Sequence, residues 1–246
     1  ENPCMSGHSK WSTIKRKKGA NDAQRAKIFT KIAREILVAV KAGGPDPDNN
    51  SSLKDAISKA RSANMPNDNI TRTIKKAAGS TEGDNYETVT YEGYGPNGVA
   101  VIVNALTDNR NRTAANVRHC FDKFGGNMGT TGCVSFMFDQ KGVIIIENED
   151  IDEDEITMDA LEAGADDISV EEDCIEITTT PEDFHAVRDS IEAKYTISSA
   201  EISMVPQTMT QLTDEKQILM MSKMLENLED DDDVQDVYHN WDMPED

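Results

Sequence analysis

The residues of this chain best equipped for chemistry are cations, and the chemistry they suggest is the holding of phosphate. Lys10, Trp11, Lys15, Arg16, Lys17 and Lys18 form a basic run with one aromatic. Lys and Arg neutralise backbone phosphates and release condensed counterions, while an indole can stack on an exposed base. Lys27, Lys31, Arg34 and Lys41 follow, with Glu35 as the sole carboxylate between Lys27 and Lys41. At about 100° per residue they share the helix face opposite Ile28, Phe29, Ile32, Ile36 and Val40, which predicts a cationic ridge facing solvent. Arg72, Lys75 and Lys76 stand on a third helix, and Arg110 and Arg112 lie in the polar loop Asp108 to Thr113.

Catalysis has no comparable support. There is no G-x-S-x-G elbow, no P-loop and no H-E-x-x-H. His8 falls in the basic run, and His119, His185 and His239 occur singly, where a hydrogen-bonded structural histidine is the commoner role. The acid clusters Asp150 to Glu155 and Glu229 to Asp233 are ordinarily just solvated carboxylates. Cys4, Cys120, Cys133 and Cys174 are widely spaced without a C-x-x-C pair, as expected of thiols in a reducing compartment. A non-enzyme without cofactor or metal is expected.

The overall balance at first argues against a polyanionic ligand, because the formal net charge is -21. The average conceals a split. Residues 1–80 carry 16 Lys+Arg and 7 Asp+Glu, whereas residues 81–246 carry 9 and 39. With a screening length of about 8 Å, a basic unit some distance from an acidic one presents its own field. The alternative is that the two halves attract each other within the fold.

The elements that must position these cations can be read from periodicity. A basic flexible arm, mobile until it meets a phosphate backbone, is expected up to residue 21, preceded by Glu1 to Cys4 as an added remnant ahead of Met5. Residues 22–80 read as three short helices: one from Asp22 stopped by Gly43-Gly44-Pro45, one from about Ser52 to before Pro66, and one from Asn67 to Gly79. Tyr86 to Tyr94 and Val99 to Leu106 flank the turn Pro96-Asn97-Gly98 as a hairpin, and a helix carrying Val117, Cys120, Phe121 and Phe124 follows. Gly142 to Pro206 reads as βαββαβ, beginning with a strand from Val143 to Glu147, the order of a ferredoxin-like unit. A last helix from Glu215 and a strand from Val234 have no sheet of their own, so they must return to the hairpin. The expected α+β protein has three domains: a helical one at 22–80, a discontinuous one at 81–138 and 207–246, and a ferredoxin-like one inserted at 139–206. No apolar run approaches the roughly 20 residues that cross a bilayer, and Glu1 to Lys18 lacks a signal peptide's apolar core, so a cytosolic location without membrane contact is expected.

The motifs Met5-Ser6-Gly7-His8-Ser9-Lys10-Trp11, Lys27-Ile28-Phe29-Thr30-Lys31, Gly43-Gly44-Pro45-Asp46-Pro47, Asn64-Met65-Pro66, Tyr91-Glu92-Gly93-Tyr94-Gly95-Pro96, Thr107-Asp108-Asn109-Arg110-Asn111-Arg112-Thr113 and Asp233-Val234-Gln235-Asp236-Val237-Tyr238-His239-Asn240 resemble those of the YebC/PmpR family. The resemblance spans nearly the whole chain and implies the same three-domain order. It also implies a cytoplasmic regulator that binds promoter DNA, or in other members a translation factor acting at the ribosome. The expected partner is therefore nucleic acid, promoter DNA or rRNA, together with transcription machinery or ribosome. A protein-interaction module without nucleic-acid binding is the third alternative. Neither a standard helix-turn-helix spacing nor an RNP motif marks specific base readout.

Overall fold

The computed structural model describes residues 5–81 and 85–244, so Glu1 to Cys4 lie outside the described residues. The basic run does not form a flexible arm. It is helix α1, Met5–Lys18. Helix α2, Asp22–Gly43, opens with a capping box in which the Asn21 side chain and Gln24 exchange hydrogen bonds with each other's backbone N–H, and Gly44 ends it at φ 90°. Helix α3, Ser51–Ser62, is capped by the Asn50 side chain, and α4, Asn67–Ala78, starts directly after Pro66. These three helices enclose Ile32, Ile36, Leu53, Ala56, Ala60, Ile70 and Ala77. The alanines allow close helix approach, and each fully buried Ile or Leu contributes roughly 1.5–3 kcal/mol.

Strands β1, Glu87–Tyr94, and β2, Ala100–Thr107, form the hairpin, and the turn between them uses positive φ at Asn97 (53°) and Gly98 (77°). Helix α5, Arg110–Lys123, is followed by the short strand β3, Asn127–Met128, which pairs with β1. Two residues carry no readable alternation, so periodicity gives no sign of β3. A Cβ on Gly93 would lie 2.6 Å from the Asn127 carbonyl oxygen, so this pairing requires glycine.

Strand β4, Phe138–Glu147, then opens a second sheet with α6, Glu153–Ala163, β5, Asp167–Val170, β6, Cys174–Thr179, α7, Phe184–Glu192, and β7, Ser199–Pro206. Its order is β5-β6-β4-β7, antiparallel throughout, as in a split βαβ unit. β4 begins before Val143 because Phe138 to Gly142 pair with Pro206 to Ile202 of β7. Helix α8, Glu215–Asp230, and strand β8, Val234–His239, return the chain to the first sheet, whose order is β3-β1-β2-β8.

Each sheet is buried on both faces. In the first, Val101, Val103, Phe121, Met221, Met224, Leu228 and Trp241 form one core with α5 and α8, while Ala100 and Ile102 meet Val134 and Phe138 on the other side. In the second, Ile144 and Ile146 join Ile156, Phe184 and Val187 of α6 and α7. Val143 and Ile145 point the opposite way, where α1 lies.

Candidate nucleic-acid interface

Trp11 and Ile14, three positions apart on α1, are buried against Val143, Ile145 and Cys174. The Trp11 indole N–H donates to Asp173 Oδ2 at 3.1 Å, and Lys10 pairs with Glu201 and donates to Ser203 Oγ at 2.7 Å. Lys15 lies 5.7 Å above the Trp11 ring and 3.9 Å from Asp173. The expectation of a free arm with a stacking tryptophan is therefore corrected. A helix with two apolar residues on one face lowers its free energy by covering a bare sheet surface, and Glu201 and Asp173 hold Lys10 and Lys15. Burial opposes ionisation of Glu201, but Lys10 and Lys59 draw its pKa down to about 2.

The ridge on α2 is also not a free cationic face, because Lys27, Lys31 and Arg34 all have protein partners. Lys27 Nζ contacts Asp230 Oδ1 at 2.7 Å and the Asp230 carbonyl at 2.9 Å, and Lys31 donates to the Glu229 carbonyl. Arg34 Nη1 donates to the carbonyls of Leu106 at 3.0 Å and Asp232 at 3.2 Å, and to Asp233 Oδ1 at 2.9 Å. Lys27 and Lys31 thus satisfy orphan carbonyls and the negative dipole end at the C-terminus of α8, while Arg34 holds the turn that follows it. Burial, with Lys17 nearby, lowers the Lys31 pKa to about 8 despite the surrounding acids. Arg34 also stacks 4.9 Å from the Tyr86 ring.

Asp233 is the centre of this junction, with 5% of its side chain exposed. Besides Arg34, it accepts from Arg112 Nε at 3.1 Å and Nη2 at 3.0 Å, and from Thr113 Oγ1 at 2.8 Å. Burial works against ionisation, but these donors hold its carboxyl below the usual carboxylate range. Arg112 also bonds Asp108 at 2.9 Å, and Asn109 caps α5 through Arg112 N–H. Arg110 and Arg112 are therefore in the first turn of α5 rather than in a loop. Arg112 is committed to Asp233, while Arg110 remains exposed near Glu87 at 3.5 Å.

Two further ion-pair clusters tie α3 to later parts of the chain. Lys59 of α3 lies 2.9 Å from Glu35 and 3.3 Å from Asp236 of β8. Desolvation opposes its charge, but Asp236 and Glu35 hold the ammonium well above the ordinary lysine value. Arg188 of α7, 2% exposed, donates to Asp55 Oδ1 at 2.7 Å, and His185 Nε2 meets the same oxygen at 2.9 Å. These ties from α3 to β8 of the first sheet and to α7 beside the second have no sign in the sequence. Lys59 and Asp236 are 177 positions apart and Asp55 and Arg188 are 133 apart, and only the charge split points toward them.

The cations left over define the open surface. Arg16, Lys17 and Lys18 at the end of α1, and Arg72, Lys75 and Lys76 on α4, are exposed and form no ion pair with a described residue. Arg25, not anticipated, is exposed in the second turn of α2. Lys41 is half-buried in the last turn of α2. The outward side of α4 carries Asn67, Asp68, Thr71, Arg72, Lys75 and Lys76, spaced so that they form one polar stripe.

Residues 9–80 match the model of the TACO1/YebC protein N-terminal domain, and residues 86–241 match that of the TACO1/YebC second and third domain. The chain belongs to the TACO1/YebC family. A relative from Acetivibrio thermocellus named "Probable transcriptional regulatory protein" is 63% identical over 239 residues, covering 96% of this chain and 99% of that one. A similarly named protein of Clostridioides difficile is 61% identical over 229 residues, covering 92% and 96%. The crystal structure of a conserved hypothetical protein from Aquifex aeolicus superposes with a TM-score of 0.80 at 46% identity, covering 92% of this chain and 93% of that one.

Several of the motifs singled out in the sequence form joints within the fold. Thr107 to Thr113 and Asp233 build the lock between α2, α5 and the end of α8. Glu92 accepts backbone N–H bonds from Gly132, Val134 and Ser135 at 2.6, 3.2 and 2.7 Å, pinning the crossing into the second sheet. Asn240 Oδ1 accepts from Ala100 N–H at 2.8 Å and anchors the returning strand. Asn64, at φ 61°, ends α3 and turns Met65 into the helical core. Among the described residues no helix is long and apolar enough to cross a membrane.

Proposed function

We propose that this chain is a non-enzymatic regulator of gene expression that binds nucleic acid, DNA in the first instance, through the outward stripe of α4 and the basic end of α1. The observation that carries this reading is the density of exposed cations without an ion pair to a described residue in the first 80 residues, Arg16, Lys17, Lys18, Arg72, Lys75 and Lys76 among them, whereas Arg118, Lys216 and Lys223 stand exposed among the many acids of the remainder. Lys27, Lys31, Arg34 and Arg112 are not part of the proposed surface, since those groups already have protein partners.

A helix whose polar stripe includes Asn67, Thr71 and Arg72 fits the dimensions of a DNA major groove, with Lys75 and Lys76 left for phosphates. The relatives' printed names support transcriptional regulation. The acidic remainder repels polyanions at longer range, which restricts binding to these patches and leaves an acidic face for a basic partner such as polymerase or ribosomal protein. A cytoplasmic site of action goes with this reading. The second reading, an rRNA-binding translation factor, is favoured by a groove beside α4 that suits an unpaired base better than a duplex. Crosslinking in cells followed by sequencing separates the two: promoter fragments are expected for the first, rRNA for the second, and enrichment of neither would leave only protein interaction.

A further inference from the structure

Between α2 and α4 runs an open groove of about 280 Å³, lined by Phe29, Thr30 and Ala33 on one side and by Met65, Asn69, Arg72 and Thr73 on the other. Its floor is apolar and includes an aromatic ring. Two of its polar groups are occupied: the Thr30 hydroxyl donates to the Ala26 carbonyl at 2.9 Å, and the Thr73 hydroxyl to the Asn69 carbonyl at 2.7 Å. The other two are free. The Asn69 amide makes no hydrogen bond with a described residue and Arg72 makes no ion pair with one. No carboxylate lines the groove, although Asp68 adjoins Asn69 in sequence.

An amide offers a donor and an acceptor side by side, which is the pattern on the edge of a nucleobase. A guanidinium at the rim matches a phosphate or stacks on a ring, and Lys75 and Lys76 continue the positive potential along α4. We infer that this groove holds a single unpaired nucleobase, seated on Phe29 and Met65 and read on its edge by Asn69, with the strand's phosphates on Arg72, Lys75 and Lys76. The inference rests on the nucleic-acid reading above but departs from its duplex form, agreeing with the second reading in which α4 meets an unpaired strand. A base inside a duplex keeps its faces stacked on its neighbours, so the groove selects single-stranded or bulged segments. Charge complementarity favours this occupant over a protein segment, since the groove presents an apolar floor, one neutral amide and cations.

The test is fluorescence anisotropy of the full chain with three labelled probes: a short single-stranded RNA, single-stranded DNA of the same sequence, and duplex DNA. Asn69→Ala and Phe29→Leu are compared with the unaltered protein, and circular dichroism checks the fold. Asn69→Ala removes a half-buried side chain that makes no hydrogen bond with a described residue, and keeps the test valid if Phe29→Leu loosens the core. We expect the single strands to bind more tightly than the duplex, and each variant to weaken single-strand binding by about tenfold, the scale of one stacked base, with duplex affinity and salt slope unchanged. A preference for the RNA strand would assign a role to the sugar's 2′-hydroxyl, and equal affinities would assign base and phosphate alone. In both cases the proposal stands. If duplex binds as tightly as single strand and neither variant changes anything, the groove is not a base site although the nucleic-acid reading survives. If no probe binds, both fail.

Discussion

Replacing Asp233 by alanine tests the joint on which the described arrangement depends. The side chain is 5% exposed and accepts bonds from Arg34, Arg112 and Thr113. Removing it leaves the Arg34 guanidinium, itself 16% exposed, with carbonyl oxygens and the Tyr86 ring but no carboxylate, while Arg112, 45% exposed, can turn to water and keep Asp108. Breaking a buried pair from one side costs roughly 3–5 kcal/mol, and the solvent open to Arg112 discounts its share, so about 3 kcal/mol is expected. A chain of several units need not unfold in one step, so the readout is amide hydrogen exchange in α8, β8 and the first turns of α5 as well as the urea midpoint. Exchange there should accelerate by about two orders of magnitude, with α6 and α7 little affected. Arg34→Met alone should cost less than Asp233→Ala. In the double variant the two effects should fall well short of their sum, because the second change removes a charge the first left unpaired. Additive effects, or a loss under about 1 kcal/mol for Asp233→Ala, would refute the lock.

Other consequences follow from groups with displaced ionisation. Burial lowers the His239 pKa to about 4, with Arg16 adding to the effect, and the neutral ring accepts the Trp241 N–H at Nδ1. Its stabilising effect should be complete above pH 6.5 and fade as the pH falls to 4, a loss of about 3 kcal/mol visible in the fluorescence of Trp241 and reduced in His239→Gln. Lys31, with its pKa near 8, is disfavoured as a cation in the folded state, so stability should rise between pH 8 and 10.5. Lys31→Met should abolish that rise without destabilising the protein at neutral pH, as equilibrium unfolding at several pH values would record. Trp11→Ala should release α1 from the second sheet and speed thiol modification of Cys174, which is 2% exposed; an unchanged rate would mean that α1 is not its cover.

The helices, the hairpin and the βαββαβ succession were legible because each depends on local periodicity and on stops such as Gly44 and Gly98. What covers each face was not. Lys27 meets Asp230, 203 positions later, and no feature within α2 tells a solvated ridge from a docked one. Trp11 within a basic run has the composition of a stacking residue, yet Val143 to Ile146 are four consecutive apolar residues, a sign that both faces of their strand are covered. Joined with the three-residue spacing of Trp11 and Ile14, that run identifies α1 as the missing cover. The charge split was visible, and its plainest consequence proved to be attraction between the halves, through Lys10, Arg34, Lys54 and Lys59 with acids beyond residue 188. The groove beside α4 combines residues from two helices and a turn, so only their packing reveals it.

The most direct measurement is the salt dependence of nucleic-acid affinity for two charge-removal variants. Removing the charges of Lys17, Lys18, Arg72 and Lys75 should weaken binding and lower the slope of log affinity against log salt by about 0.7–0.9 for each phosphate that is no longer neutralised. Replacing Lys27 by methionine should leave the slope unchanged, because that side chain is held by α8. The opposite pattern, an unaltered slope in the first variant and a reduced one in the second, would contradict the assignment of the binding surface.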